Sequence, residues 1–370
     1  MTANFSFPTN VRFGAGTLAE LPQHLQKLGV SRPLVVTDPG LVPTPAFQAL
    51  EKIGGGRWAV FAGVHPNPTL GDVMTATAAY RAGNCDSVIA FGGGSALDVG
   101  KVIRICLKRP EEPLLPFDFG ADWSGLVPCI TIPTTAGTGS EVGRSSVIIH
   151  DGRKQVIFHP ALLASLVILD PEVTQGLPPK LTAATGADAL IHCIESFTSP
   201  VFHPPCEGIA LEGIHLIGRS LARAVKNGND LEARGEMLIA AMMGAIAFQK
   251  DLGAIHSLAH PLSTICGMHH GTANALCAPF VMRFNAARKP GLYRRVGIAL
   301  GLANPDDAAT IQFVGDLFRE IGLVPGLRSY GVNETHLAAL ADQAWADSCH
   351  QTNPVPVTRA DLHALYSQAL

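Results

Sequence analysis

Four of the chain's 14 histidines fall within 16 residues, in "HSLAHPLSTICGMHHG" (256–271). His256 and His260 are four apart, so on a helix they share a face. Upstream, "GADALIHCIES" sets Asp188 and His192 at the same interval. A carboxylate and an imidazole one turn apart can chelate one cation. Asp188, His192, His256 and His270 together offer one oxygen and three nitrogens, a set suited to Fe²⁺ or Zn²⁺ that needs no thiolate. The HExxH pattern of zinc proteases is absent, because Ser257 follows His256.

A second kind of chemistry lies in the first half. "FGGGSALD" (91–98) sits where an apolar strand meets a helix. Its glycines let backbone approach a ligand closely, and the helix N-terminus aims free N–H groups and a positive dipole end at it. "PTTAGTGSE" (133–141) adds Thr134, Thr135, Thr138 and Ser140 as hydroxyl donors at the end of another strand. Asp38 closes an earlier one. In a parallel sheet these strand ends share one edge, which suits a dinucleotide. A carboxylate there accepts from an adenosine ribose and repels a 2′-phosphate, so NAD(H) is expected over NADP(H).

The elements that must position these residues follow from periodicity. "PLVVTD" (33–38), "DSVIAF" (86–91), "PCITIP" (128–133) and "ASLVILDP" (164–171) are short apolar strands separated by helix-sized segments. That pattern predicts crossover units and a mostly parallel sheet. Beyond residue 170 no strand is expected. "LTAATGADALIHCIESF" (181–197) is helical, and Ile214, Ile217, Leu221 and Val225 repeat at a helical period. The expected organisation is an α/β dinucleotide-binding domain over 1–179 and an all-helical metal-binding domain over 180–370.

Composition excludes several classes. Hydrophobic residues make up 47% of 370 and charged residues 15%, which argues for large cores and against disorder. A net charge of −3 gives no electrostatic case for nucleic acid or an anionic membrane. No apolar run reaches transmembrane length, and no signal peptide is visible. Eight cysteines without a CxxC pair suit reduced thiols in a cytoplasmic protein.

"GGGSALDVGK", "IPTTAGTGSEV", "GADALIHCIE", "HSLAHPLSTICGMHHGTANA" and "TNP" (352–354) appear in this order. With them the chain resembles the iron-containing (group III) metal-dependent alcohol dehydrogenases over nearly its whole length. The resemblance implies a Rossmann-like N-terminal domain in a dehydroquinate synthase-like architecture, with the active site in a cleft between the domains. It implies hydride transfer between NAD(H) and a small alcohol or aldehyde at an Fe²⁺ or Zn²⁺ ion. It selects His270 over His269 as a ligand beside Asp188, His192 and His256, and makes His260 the non-ligand histidine near the nicotinamide, a candidate proton relay. Asp38, Asn67, Gly93, Gly94, Ser95, Asp98, Thr134, Thr135, Thr138 and Lys154 match cofactor-binding positions. A homodimer or larger homo-oligomer, formed through "FSFPTNVRFG", is also implied. The competing reading is a metal- and NAD-dependent lyase resembling dehydroquinate synthase. Such an enzyme needs a cluster of basic residues, and few lie near the histidines. Ser263, His269, Lys250-Asp251 and Val355 depart from the family's usual residues, around the substrate end of the site.

Overall fold

The computed structural model describes residue 7 and residues 9–370. They fall into two compact units: Phe7–Thr135 with Gly139–Leu177, and Pro178–Leu370 with Ala136–Thr138.

The first unit is built on six strands: β1 (Val11–Phe13), β2 (Pro33–Val36), β3 (Ala59–Phe61), β4 (Ser87–Gly92), β5 (Cys129–Pro133) and, after a hairpin, β8 (Leu166–Leu169). All five pairings are parallel, in the order β1-β8-β5-β4-β2-β3. The hairpin is antiparallel: β6 (Ser145–His150) with β7 (Arg153–Phe158). Central strands covered on both faces read as continuous apolar runs, which is why "SVIAF" and "CITI" show no alternation. Val88 and Ala90 of β4 enter one core, with Val99, Val102 and Ile103 of α4 (Gly94–Lys108). Ile89 and Phe91 enter the opposite core, with Leu21 and Leu25 of α1 (Leu21–Lys27) and Phe47 and Leu50 of α2 (Pro45–Gly54). The remaining helix of this unit is α3 (Leu70–Ala82), whose N-cap Thr69 and Asp72 form a capping box. Residues 5, 6 and 8 of "FSFPTNVRFG" lie outside the described residues, while β1 forms one edge of the sheet.

The second unit is helical: α5 (Pro179–Thr198), α6 (Pro204–Lys226), α7 (Leu231–Ala247), α8 (Ala254–Cys266), α9 (His270–Arg288), α10 (Arg294–Ala299), α11 (Asp307–Glu320), α12 (Leu337–Ala346) and α13 (Arg359–Ala369). Its core is one cluster, with Leu190, Ile194, Ile214, Ile217, Leu258 and Val281 at its centre. Small residues bring the helices close: a Cβ on Gly186 would stand 2.2 Å from Leu221 Cδ1, and one on Gly213 2.7 Å from Cys193 Sγ. Among the described residues, no single helix is long and apolar enough to cross a membrane.

The α4–β4 spacing depends on Gly100, where a Cβ would lie 2.5 Å from the Ala90 Cβ. Gly100→Val is expected to destabilise the protein by about 3 kcal/mol, the upper end of the cost of overpacking. Denaturant unfolding monitored on the purified variant checks this. Unchanged stability would show that the helix can lift from the sheet at no cost.

Candidate metal centre and dinucleotide cradle

In the helical unit, α5 carries Asp188, His192 and Glu195 at i, i+4 and i+7, one face of the helix. α8 begins after Gly253 and presents His256 in its first turn. α9 begins at His270, followed by Gly271, where a Cβ would come 1.9 Å from the Ala184 carbonyl oxygen of α5. Only glycine permits that approach, and it sets His270 against Asp188, with Nε2 3.5 Å from Oδ1.

Side-chain atoms of Asp188, His256 and His270 converge within 4.8 Å of one another. The His192 ring stacks on His256, with centroids 4.8 Å apart, and its Nδ1 is buried without a hydrogen-bond partner. One donor faces the convergence: Asn274 Nδ2 donates to Asp188 Oδ1 at 2.7 Å and lies 3.2 Å from both His256 Nε2 and His270 Nε2. The Asn274 amide thus stands before a carboxylate oxygen and two imidazole nitrogens, groups that also ligate a divalent cation.

Glu195 supplies the support. Its Oε2 lies 2.5 Å from His256 Nδ1, and its Oε1 accepts from the Ile255 N–H at 2.7 Å. A carboxylate on Nδ1 leaves Nε2 as the ring's acceptor, the arrangement of a carboxylate–histidine–metal triad. Burial pushes the Glu195 carboxyl up to about 8, against the pull of the Ile255, Gly253 and His256 N–H groups. A buried carboxylate of this kind is stabilised by positive charge nearby. The donor set and the orphaned His192 nitrogen therefore fit a divalent metal. His260 lies one turn beyond His256, its ring stacked on His270 at 5.2 Å. Its Nδ1 is 2.7 Å from Asp347 Oδ2, and Asp347 Oδ1 accepts from Ser257 Oγ and the Cys349 N–H. Burial alone would raise the Asp347 carboxyl. The hydrogen bond and charge of His260, with those two donors, outweigh it and hold the group well below the usual carboxylate range. His269 is exposed.

In the α/β unit, β2, β4 and β5 are neighbours, so Asp38, Gly93 and Thr134 follow strands that end at one edge. Gly92 has φ 152°, and a Cβ there would meet Ala96 Cβ at 2.8 Å and Asp38 Oδ2 at 3.6 Å. Gly93 caps α4 without a side-chain hydrogen bond, so its first N–H groups face outward with no competing acceptor on the cap. The Thr135 side chain packs against Gly93, and Thr134 donates its N–H to the Gly92 carbonyl. Ser95 Oγ donates to the Pro66 carbonyl, which ties the Asn67 loop to the head of α4. Lys154 lies on β7, and its hairpin joins the same loop through the Ile149 N–H and the Pro68 carbonyl. Asp98 is spent inside the protein: its oxygens accept from Ser140 Oγ and the Val147 N–H. The fully buried Lys101 completes that brace by donating to Ser140 and the Ser145 carbonyl. Thr138 belongs to the segment that clusters with the helical unit, where Gly137 packs on Thr185.

Three residues of the helical site were not singled out from sequence. Glu195 and Asn274 could have been, since each extends a helical spacing, at i+3 from His192 and i+4 from His270. Asp347 could not, being 87 residues from His260 with no local signal. Replacing Glu195 by Gln keeps the volume and puts an amide where His256 Nδ1 needs an acceptor. The variant should lose metal affinity about 10–100-fold, the usual cost of removing such a partner. Competition with a chelator measures it, and unchanged affinity would show that Glu195 serves only the fold.

Comparison with known proteins places the chain in a family. Residues 8–171 match the family model "Iron-containing alcohol dehydrogenase", and residues 182–370 match "Fe-containing alcohol dehydrogenase family, C-terminal". The chain is 40% identical to a 4-hydroxybutyrate dehydrogenase of Cupriavidus necator, covering 98% of each sequence. A crystal structure of a 1,3-propanediol oxidoreductase superposes with a TM-score of 0.95 at 32% identity, over 100% of each chain. A sulfoacetaldehyde reductase of Bifidobacterium kashiwanohense, solved with NAD⁺, superposes with a TM-score of 0.91 at 30% identity, over 100% of this chain and 99% of that one. With both halves matched and full-length relatives at this identity, the chain belongs to the iron-containing alcohol dehydrogenase family, whose members are metal- and NAD-dependent oxidoreductases of alcohols and aldehydes.

Proposed function

We propose that Asp188, His192, His256 and His270 hold one Fe²⁺ ion, with Zn²⁺ the second choice, and that the edge formed by β2, β4 and β5 holds NAD(H). The α/β unit is then the dinucleotide domain and the helical unit the metal domain. The observation that carries the reading is the convergence of Asp188, His256 and His270 within 4.8 Å. When bound, such an ion supplies Lewis-acid polarisation of a substrate oxygen, and a nicotinamide supplies or accepts the hydride. The chain's own residues do the rest. Glu195 keeps the His256 Nε2 lone pair aimed at the centre. Asn274 fixes one oxygen of Asp188. Asp347 holds the Nδ1 side of His260, which leaves Nε2 as the atom that takes up or gives back the alcohol proton. Gly93, Gly94 and the open head of α4 receive the pyrophosphate, with Ser95, Asn67, Thr134, Thr135 and Lys154 around it. The part of Asp98 is to brace this cradle from behind. Asp38 faces the adenosine ribose. The edge strand β1, with one side unpaired among the described residues, suits a homodimer, and the thiols suit the cytoplasm.

Two substitutions separate the roles in the metal domain. His256→Ala should lose the ion and all turnover. His260→Ala should keep the ion and lose rate by ~10²-fold or more, as when a positioned proton-transfer group is removed. Metal analysis, together with NADH formation from 4-hydroxybutyrate and 1,3-propanediol, decides it. A fully loaded, fully active His256→Ala protein would sink the metal assignment. Cofactor choice gives an independent check on the other domain. The protein should prefer NAD(H), and Asp38→Gly should relax the preference. Better turnover with NADPH in the unmodified protein would remove Asp38 from the ribose.

A further inference from the structure

Beside the centre already described lies a different set of donors. His260, Asp347 and Cys349 each place one ligand atom within 4.8 Å of the others: an imidazole nitrogen, a carboxylate oxygen and a sulfur. His260 is fixed on α8. Asp347 and Cys349 lie just beyond α12, and the turn they form is tied to the same helix. Ser257 Oγ donates to Asp347 Oδ1 and accepts the His350 N–H, and the Cys349 N–H donates to the same oxygen. With Oδ1 so held, Oδ2 is left facing His260 Nδ1. The side chains of His260 and Asp347 are 30% and 20% exposed, so an ion can reach them from solvent.

We propose that His260, Asp347 and Cys349 form a second cation site, selective for thiophilic divalent ions such as Zn²⁺, and that filling it blocks the proton path through His260. The blocking half rests on the role given to His260 above; the binding half does not. The donor set decides selectivity. A thiolate, an imidazole and one carboxylate suit Zn²⁺, Co²⁺ or Cd²⁺, with solvent as a fourth ligand, and not Mg²⁺. Charge decides whether the site tolerates its neighbour. The rings of His260 and His270 are 5.2 Å apart, so two ions would sit close together. Thiolate and carboxylate together cancel the second ion's charge, leaving a neutral complex beside the first. The proton count closes as well. The ion takes the place between Nδ1 and Oδ2, and the imidazole proton moves to Nε2. The Cys349 S–H bond breaks as the sulfur–metal bond forms, and one proton leaves to solvent. Nε2 then carries a proton it cannot pass to Nδ1.

Cobalt separates the two sites, because the first has only oxygen and nitrogen donors. Titrating Co²⁺ into the enzyme should load two ions per chain. The second should bring a near-ultraviolet thiolate-to-cobalt band. Cys349→Ser and Asp347→Asn should each lose the band and bind one ion, and His256→Ala should keep the band. Zn²⁺ added beyond one per chain should inhibit NADH formation, and Cys349→Ser should need at least ~10-fold more, the smaller end of what a lost metal partner costs. Mg²⁺ should not inhibit. Absence of the band from the unmodified protein, or its survival in Cys349→Ser, would overturn the site. A band without inhibition would overturn the blocking role and leave the first centre untouched.

Discussion

The helical unit's chemistry depends on one buried carboxylate. Glu195 sits on the same face of α5 as Asp188 and His192, and both of its oxygens are engaged across helices. One stabilises the first turn of α8, where a helix offers unpaired N–H groups and a positive dipole end. The other orients His256. Gly253 makes the contact possible, since a Cβ there would stand 2.7 Å from Glu195 Oε1. Fold and function share this interaction: the helix that brings in two histidines starts where it does because a carboxylate from α5 receives its N-terminus. A buried carboxylate is costly unless positive charge or several donors compensate it. Here the Ile255 and Gly253 N–H groups do part of that work.

The α/β unit is built differently: it leaves backbone open at one edge of a parallel sheet. Its means are small residues at three neighbouring strand ends and a helix head left open. The side chains that look polar in sequence then divide into two kinds. Ser95 and Asp98 are engaged in holding loops, Ser95 at the surface through Pro66 and Asp98 further in through Ser140 and Val147. Asp38 keeps Oδ2 toward the glycine turn while Oδ1 accepts from the Gly40 and Leu41 N–H groups. A motif residue can thus matter by shaping the cradle without touching its ligand.

Most residues that depart from the family pattern are committed within the helical unit. Lys250 is fully buried, and its Nζ donates to Glu207 Oε1 and the Phe197 carbonyl, so its charge is not available to a substrate. Ser263 Oγ donates to the Ala259 carbonyl, and Val355 is buried with its carbonyl accepting from Asn353. Asp251 differs: it is exposed and holds φ 62°, a conformation glycine adopts without strain.

The sequence by itself determined the four central apolar strands and the helical second half, and it offered the candidate donors, but it did not mark β3 or the β6–β7 hairpin. Apolar runs such as "SVIAF" and "CITI" mark buried parallel strands, and the i, i+4 pair Asp188/His192 marks a chelating helix face, because strand burial and helical periodicity are local properties. Glu195 and Asn274 were legible by the same rule, one step further along each helix. Only the tertiary structure decided the rest. The sheet order that makes β2, β4 and β5 neighbours, the meeting of Asp347 with His260 across 87 residues, and the inward turn of Asp98 all depend on packing between distant segments. The distance from Gly271 to Ala184 is of the same kind. A local pattern records what a residue can donate. Which groups it meets is set by how closely helices and strands approach, and that is a property of the whole fold.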